Sequence, residues 1–403
     1  MTPYYSRTYR TLFTSSTTTL YHGTAEEVLG ALTLASVTAC VTDPPYGLAF
    51  MGKAWDGTTP PPADWHAIRG ALRPGAPLLA FGGTRTWHHL ATALEAAGFA
   101  LRDTLMWLYG SGFPKSHDVS KAIDKAAGAR REVVGKSIYY PRRANKNGTA
   151  TYSDFHNDTR DLTAPATDAA RLWHGFGTAL KPAWEPVLLA MAPMPGTFAD
   201  NAQRYGVAGL NVEAGRIACA PGDIGDRIDN PERPARRPVN HMNDDRSFSK
   251  ARAYREPSGR WPANVLLDEA AAALLDEAAG ERPVGPGSMN GSHGSQNTYD
   301  ARWPKRSGIG YGATGVASRF FYVAKASPSE RGEYNDHCTV KPQSLMRYLL
   351  GLVTYPERNL ILDPFAGSGS TLLAAQALGL DCIGIDQDAH ALDIAARRLE
   401  EAP

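Results

Sequence analysis

The sequence predicts an α/β protein: a doubly wound, mainly parallel sheet with an inserted irregular domain. Three observations carry that expectation. Strand-like and helix-like runs alternate toward both ends of the chain, which implies a parallel sheet covered on both faces. The strand-like runs are almost continuously apolar, as strands buried on both sides must be. The middle of the chain breaks this rhythm, being rich in Gly, Pro, Arg and Asn with few periodic runs.

The elements follow in order. SVTACVTD (36–43) and APLLAFGG (76–83) read as buried strands, and DWHAIRGALRPG (64–75) between them has helical spacing closed by a Pro-Gly break. TWHHLATALEAAGF (86–99) is a second helix, ALRDTLMWLY (100–109) is strand-like, and EPVLLAMAP (185–193) is a strand bounded by prolines. Late in the chain come strand RNLILDPFAG (358–367), helix STLLAAQALG (370–379), strand DCIGIDQD (381–388) and helix AHALDIAARRLEE (389–401). Residues 128–170 are polar and hold Arg130, Arg131, Lys136, Arg142, Arg143 and Lys146, which reads as a mobile insertion long enough to serve function. Across 197–325 one clear helix begins near Asp268, and NGSHGSQNTYD (290–300) reads as a flexible loop.

Composition narrows the class. The 403 residues carry 42 Lys+Arg against 41 Asp+Glu, so a nucleic-acid partner would be held by local basic segments rather than by net charge. The four cysteines are scattered with no C-x-x-C pair, which argues against a zinc knuckle and a disulfide framework; no bound metal is expected. No apolar run has the length of a membrane span, and the Ser/Thr-rich opening lacks an apolar signal core. A cytoplasmic protein in a reducing compartment is expected.

Two strand ends carry the chemistry. VTDPPYGLAF (41–50) ends a β-branched run in Asp43, Pro44, Pro45 and Tyr46; proline cannot donate to a ladder, so the strand stops there. The result is a tight turn, or a grip for a flat hydrogen-bonding substrate. ILDPFAGSGSTLLAAQ (361–376) places Asp363 at a strand end, then Phe365, Gly367 and Gly369 before a helix, and Asp386 ends the next strand. That spacing suits ribose hydroxyls, while glycines and a helix N-terminus let backbone approach a ligand. A third fingerprint glycine and a Gly-Lys-Ser/Thr are both missing, so a nucleoside without a phosphate chain fits better than a dinucleotide or nucleotide triphosphate.

Together these stretches resemble the DNA amino-methyltransferases that modify N6 of adenine or N4 of cytosine. Asp-Pro-Pro-Tyr at 43–46 resembles their catalytic motif, and Asp-Pro-Phe-x-Gly-x-Gly at 363–369 their S-adenosylmethionine motif. The catalytic motif comes first and the cofactor motif last, which is similar to the circularly permuted β group. LYHGTAEEVL (20–29) resembles the segment bordering the cofactor's adenine, with Thr24 where an acid is frequent. HCTVKP (337–342) resembles the segment ahead of the cofactor strand, with Cys338 in place of proline. FMGKAWD, FGGTRTWHHL, GSGFPKS, GRWPANV and RFFYVAKAS resemble a bacterial and phage-encoded subgroup.

The resemblance implies a methyltransferase fold divided into 18–196 (catalytic half), 197–320 (target recognition domain) and 321–403 (cofactor half). It implies that Asp43 and Pro44 accept from the target amino group and Tyr46 stacks on the base. Cofactor contacts are expected from Asp363, Phe365, Gly367, Gly369, Asp386, Thr339, Lys341 and His22, with Lys341 equally readable as a solvated lysine. DNA contacts are expected among Lys53, Trp55, Lys115, Ser116, Arg142, Arg143, Arg236, Arg237 and Arg260, with the arginines also readable as ordinary surface residues and Lys53 and Trp55 as closing the pocket. The partner implied is double-stranded DNA, with a homodimer and a separately encoded restriction endonuclease left open. Asp rather than Ser at 43 favours adenine, with cytosine N4 as the alternative and a catalytically silent DNA-binding protein as a further one.

Overall fold

The structure, a computed structural model, describes residues 10–15, 17–32, 35–48, 56–110, 112, 116–138, 159–219, 259–283, 314–325, 334–336, 340–357 and 359–402. The first part of the chain forms β1 (Arg10–Thr14), β2 (Thr18–His22), α1 (Ala25–Ala31), β3 (Ala39–Thr42), α2 (Pro62–Ala71), β4 (Pro77–Phe81), α3 (Trp87–Ala96) and β5 (Ala100–Leu108). An excursion follows through α4 (Val119–Ala126), β6 (Val133–Ile138), β7 (Thr159–Thr163) and α5 (Asp168–Leu172) before β8 (Trp184–Met191) and α6 (Phe198–Tyr205). Then come β9 (Val265–Asp268), α7 (Glu269–Ala279), β10 (Arg282–Pro283), β11 (Thr314–Gly315) and β12 (Tyr322–Ala324). The chain closes with α8 (Gln343–Leu352), β13 (Leu360–Asp363), α9 (Ser370–Ala377), β14 (Asp381–Asp386) and α10 (Ala389–Glu401).

Ten strands make one sheet in the order β1-β2-β14-β13-β3-β4-β8-β5-β9-β12. Only β1 and β8 run against the others. The mainly parallel, doubly wound architecture agrees with the expectation. Successive strand residues point to opposite faces, so β4 serves two cores. Leu79 and Phe81 join Leu345, Met346 and Leu349 of α8, Leu372 of α9 and Leu392 of α10. Leu78 and Ala80 join Val28 of α1, Trp65 and Ile68 of α2, and Leu90 and Leu94 of α3. Local chemistry sets the helix starts. Thr24 and Glu27 form a capping box on α1, α2 opens on proline, and Asp388 caps α10.

The permutation is visible in the pairing. β13 and β14 are the last strands of the chain, yet they lie between β2 and β3. From β13 the chain crosses through α9 to β14 on one side. From β3 it crosses through α2 to β4 on the other. Their diverging loops leave a crevice at the carboxyl ends of β13 and β3, where open α/β sheets bind ligands.

The middle of the chain holds more order than its composition suggested. β9 pairs in parallel with β5 and so extends the main sheet. Four residues are too few to show a period, which is why this strand was not read from the sequence. The helix expected near Asp268 is α7, with Asp268 itself as N-cap. Part of the 128–170 insertion is an antiparallel hairpin of β6 and β7. It is tied down by buried Asp124, which accepts from Arg131, from the Thr167 hydroxyl and from the backbone N–H groups of Ala166 and Thr167. Arg131, read as one of the basic residues of a loop, is therefore ion-paired within the protein. The loop at 290–300 lies outside the described residues.

Leu349 is fully buried between the sheet and α9. Leu349→Ala should destabilise the protein by about 2–5 kcal/mol, read as a lower midpoint in a denaturant titration with an unchanged slope.

Candidate active site

The crevice is a cleft of about 300 Å³. Asp43 and Pro45 line it after β3, and Asp363 to Ser368 line it after β13. Asp386 and Asp388 enter from the end of β14, Gly23 to Glu26 from the start of α1, and Asp64 from α2. Register brings the two motif ends together. Ile361 and Leu362 of β13 pair with Ala39 and Cys40 of β3, so Thr42 reaches across to donate its hydroxyl to Asp363 at 2.7 Å, both residues buried.

The Asp-Pro-Pro-Tyr turn is held from outside itself. Asp56, 3% exposed, accepts from the backbone N–H groups of Tyr46, Gly47 and Leu48. Gly83 makes room for the ring, since a Cβ there would meet Tyr46 Cδ2 and Leu48 Cδ1 at 3.2 and 3.1 Å. The Tyr46 hydroxyl lies 2.7 Å from Asp43 Oδ1 and 3.2 Å from Glu185 Oε2. Burial, with both carboxylates adding to it, raises this phenol well above its ordinary pKa, so it remains a protonated donor.

Lys341 completes the group. Its ammonium pairs with Asp43 Oδ2, lies 3.5 Å from Glu185 Oε2 and donates to the Tyr46 hydroxyl at 3.3 Å. Burial opposes the charge, but Asp43 and Glu185 outweigh it, and the lysine holds its proton more tightly than usual. Lys341 is expected from the sequence to pair with a carboxylate or to be solvated. It lines the cleft, but its ammonium is engaged by protein carboxylates. Nothing in the local sequence around Glu185 marks it as a site residue, and Asp56, which ends the FMGKAWD stretch, is not singled out there. Their signal lies in β8 and the 56–59 loop folding back onto the turn.

On the cofactor side, Gly367 donates its backbone N–H to Asp386 Oδ2 at 2.7 Å, and Asp388 donates to Oδ1 at 2.8 Å. Asp386 thus shapes the glycine turn, and its oxygens retain acceptor capacity toward the cleft. Gly367 has φ of 49° and lines the cleft. Gly369 does not line it; at φ of 81° it caps α9, and a Cβ there would meet Ala395 Cβ at 2.9 Å. Its requirement is close packing of α9 on α10. Phe365 lines the cleft against Trp65, ring centroids 5.8 Å apart. His22 bonds the Gln387 carbonyl at 3.1 Å, and its neighbours Gly23 to Glu26 reach the cleft instead. Thr339 lies outside the described residues.

Most residues expected to meet DNA also lie outside them: Lys53, Trp55, Lys115, Arg142, Arg143, Arg236 and Arg237. The two that are described have work inside the protein. Ser116 accepts from the N–H groups of Thr178 and Ala179 and pins two loops together. Arg260 bonds the carbonyls of Arg319 and Ala218 and covers the Phe320 ring. Both therefore have partners within the protein. Missed by sequence reading is the exposed run Trp173, Phe176 and Leu180 just before β8, at the sheet end that holds the cleft.

Burial pushes the Asp363 carboxyl up to about 6, against the hydrogen bonds from Thr371, Thr42 and the Phe365 N–H. A raised acid binds its proton more tightly folded than unfolded, so folding stability falls as pH rises from about 4 to about 6 and then levels off. Asp363→Asn should remove that part of the slope, a difference from the native chain on the order of 3 kcal/mol, measured as melting temperature against pH.

The comparisons follow this geometry. A family model described as DNA methylase matches residues 37–397. The type II methyltransferase M.HindIII of Haemophilus influenzae is 48% identical over 63 residues, 16% of this chain and 20% of that protein. The DNA adenine methyltransferase YhdJ of Escherichia coli is 37% identical over 70 residues, 17% of this chain and 24% of that protein. The matched segments thus span about a fifth to a quarter of these relatives. Among solved structures, the M1.HpyAVI–SAM complex covers 95% of this chain and 99% of its own at 14% identity and a TM-score of 0.39. The cytosine-N4-specific PvuII DNA methyltransferase covers 96% and 87% at 12% identity and 0.43. Since the family match takes in both strand ends that border the cleft, the chain belongs to the N6/N4 DNA methylase family.

Proposed function

We propose that the protein is a sequence-specific DNA methyltransferase that uses S-adenosylmethionine to methylate the exocyclic N6 of adenine in a base turned out of the duplex. One observation carries the reading: the Asp43 turn and the Asp363–Asp386 turn end neighbouring strands and open into one cleft. The cleft's residues suit such a cofactor. Asp386 offers acceptors for ribose hydroxyls, Phe365 an apolar face for a ring, and the acidic lining of Asp43, Asp64, Asp363 and Asp386 favours a cation. Bound there, S-adenosylmethionine supplies an electrophilic methyl group on a sulfonium.

The chain's own residues answer the remaining problem. An exocyclic amino group is a poor nucleophile because its lone pair is delocalised into the ring. Asp43 and the Pro44 carbonyl accept its two N–H bonds and favour a tetrahedral nitrogen whose lone pair is free to attack. Asp43 already accepts from Tyr46 and Lys341, but a carboxylate has about four acceptor positions. The Tyr46 ring, anchored through its hydroxyl, offers a face for stacking. The amino group is out of reach in a duplex, so the base must leave the stack. Exposed Trp173, Phe176 and Leu180 suit the DNA-facing side. Asp at position 43 favours adenine over cytosine.

The test is labelled methyl transfer to unmodified plasmid DNA followed by modification-aware sequencing. N6-methyladenine confined to one short sequence is expected. Asp43→Ala should lower transfer by roughly 10²–10³-fold while S-adenosylmethionine still binds. N4-methylcytosine would replace the adenine assignment, and no transfer to any DNA would overturn the enzymatic one.

A further inference from the structure

We propose that Lys341 and Glu185 act as paired positioning residues for Asp43, the ammonium cancelling the second carboxylate so that Asp43 stays charged and its acceptor oxygens stay aimed. The inference deepens the methyl-transfer reading and rests on it for the role of Asp43.

Three distant segments build the cluster: Asp43 after β3, Glu185 in β8, and Lys341 just ahead of α8. Lys341 is 7% exposed, its ammonium 4.8 Å from the Phe81 ring centroid and 5.6 Å from that of Tyr46. A buried ion pair is weak evidence for a purely stabilising role, because apolar side chains of similar volume usually do as well. The stoichiometry is also unbalanced, with two carboxylates sharing one ammonium and one tyrosine hydroxyl. Two acids that close to one hydroxyl do not both remain ionised without a cation. A protonated Asp43 would present a donor where the amino group needs an acceptor. Lys341 removes that outcome, and Glu185 holds the ammonium and the phenol from the other side. The other titratable groups facing the cluster do not replace the cation. Tyr109, raised by burial to about 12, is neutral, and Asp363 in the same cleft adds a further acid beside Asp43.

The experiment compares the native chain with Lys341→Met, Glu185→Gln and the double variant. Single-turnover methyl transfer is measured against pH, together with S-adenosylmethionine binding and melting temperature against pH. Lys341→Met should move the acid limb of transfer up by about one unit or more, so that its loss is about tenfold on that limb and shrinks toward neutral pH. The double variant should recover most of that acid-limb loss and bring the limb back, since removing the second carboxylate restores the balance. In melting, Lys341→Met should weaken relative to the native chain as pH rises from about 4 to about 5 or somewhat above, and the double variant should not. That readout is independent of turnover, so it stands apart from a failure of the methyltransferase reading. A double variant no better than Lys341→Met would overturn the proposal. So would a Lys341→Met defect confined to S-adenosylmethionine binding, which would make the lysine a cofactor ligand. Should Lys341→Met not fold, Glu185→Gln alone decides: its acid limb should move down, and an unmoved limb overturns the proposal.

Discussion

The site depends on β13 lying against β3. That pairing sets the carboxyl end of one motif beside the other, and the buried bond from Thr42 to Asp363 fixes their spacing. Everything else in the cleft is arranged around it. The turn after β3 carries Asp43 to one wall, the turn after β13 carries Phe365 and Gly367 to the other, and β14 adds Asp386 to the floor. A buried hydroxyl–carboxylate bond is well suited to the task, because leaving either group unpaired in the interior carries a desolvation cost.

A second theme is the density of acid in the cleft and the means by which it is kept tolerable. Asp386 and Asp56 are satisfied by backbone N–H groups. Asp363 is satisfied by hydroxyls and an amide, yet its carboxyl remains raised. Asp64 accepts from the Glu26 N–H and is also raised, mainly by burial. Among the described residues, Asp43 and Glu185 share the ammonium of Lys341. The polypeptide therefore uses neutral donors where shape is needed and reserves a full charge for the turn that ends β3.

Most of the sheet was legible because its strands are short apolar runs flanked by turn residues, and its flanking helices show a clear period. The motif ends were legible because Asp-Pro-Pro-Tyr and the glycine turn are local patterns. What escaped the sequence is what three dimensions add. β9 has too few residues to announce a period. Glu185 and Lys341 lie 142 and 298 positions from Asp43, and no local pattern ties them to it. Gly369 was read for its approach to a ligand, while its geometry answers to Ala395. Ser116 and Arg260 carry polar groups that suit nucleic acid equally well, and only their backbone partners show how they are used.

The order of strands has a consequence in time. β2 and β3 are made early, but they touch only through β14 and β13, which are made last. Without those two strands the turn after β3 lacks the neighbour that positions it. Contacts of such long sequence separation also form slowly. The pairing that sets Asp363 beside the Asp43 turn is thus one of the longest-range contacts of the sheet, and the cleft cannot exist before it forms.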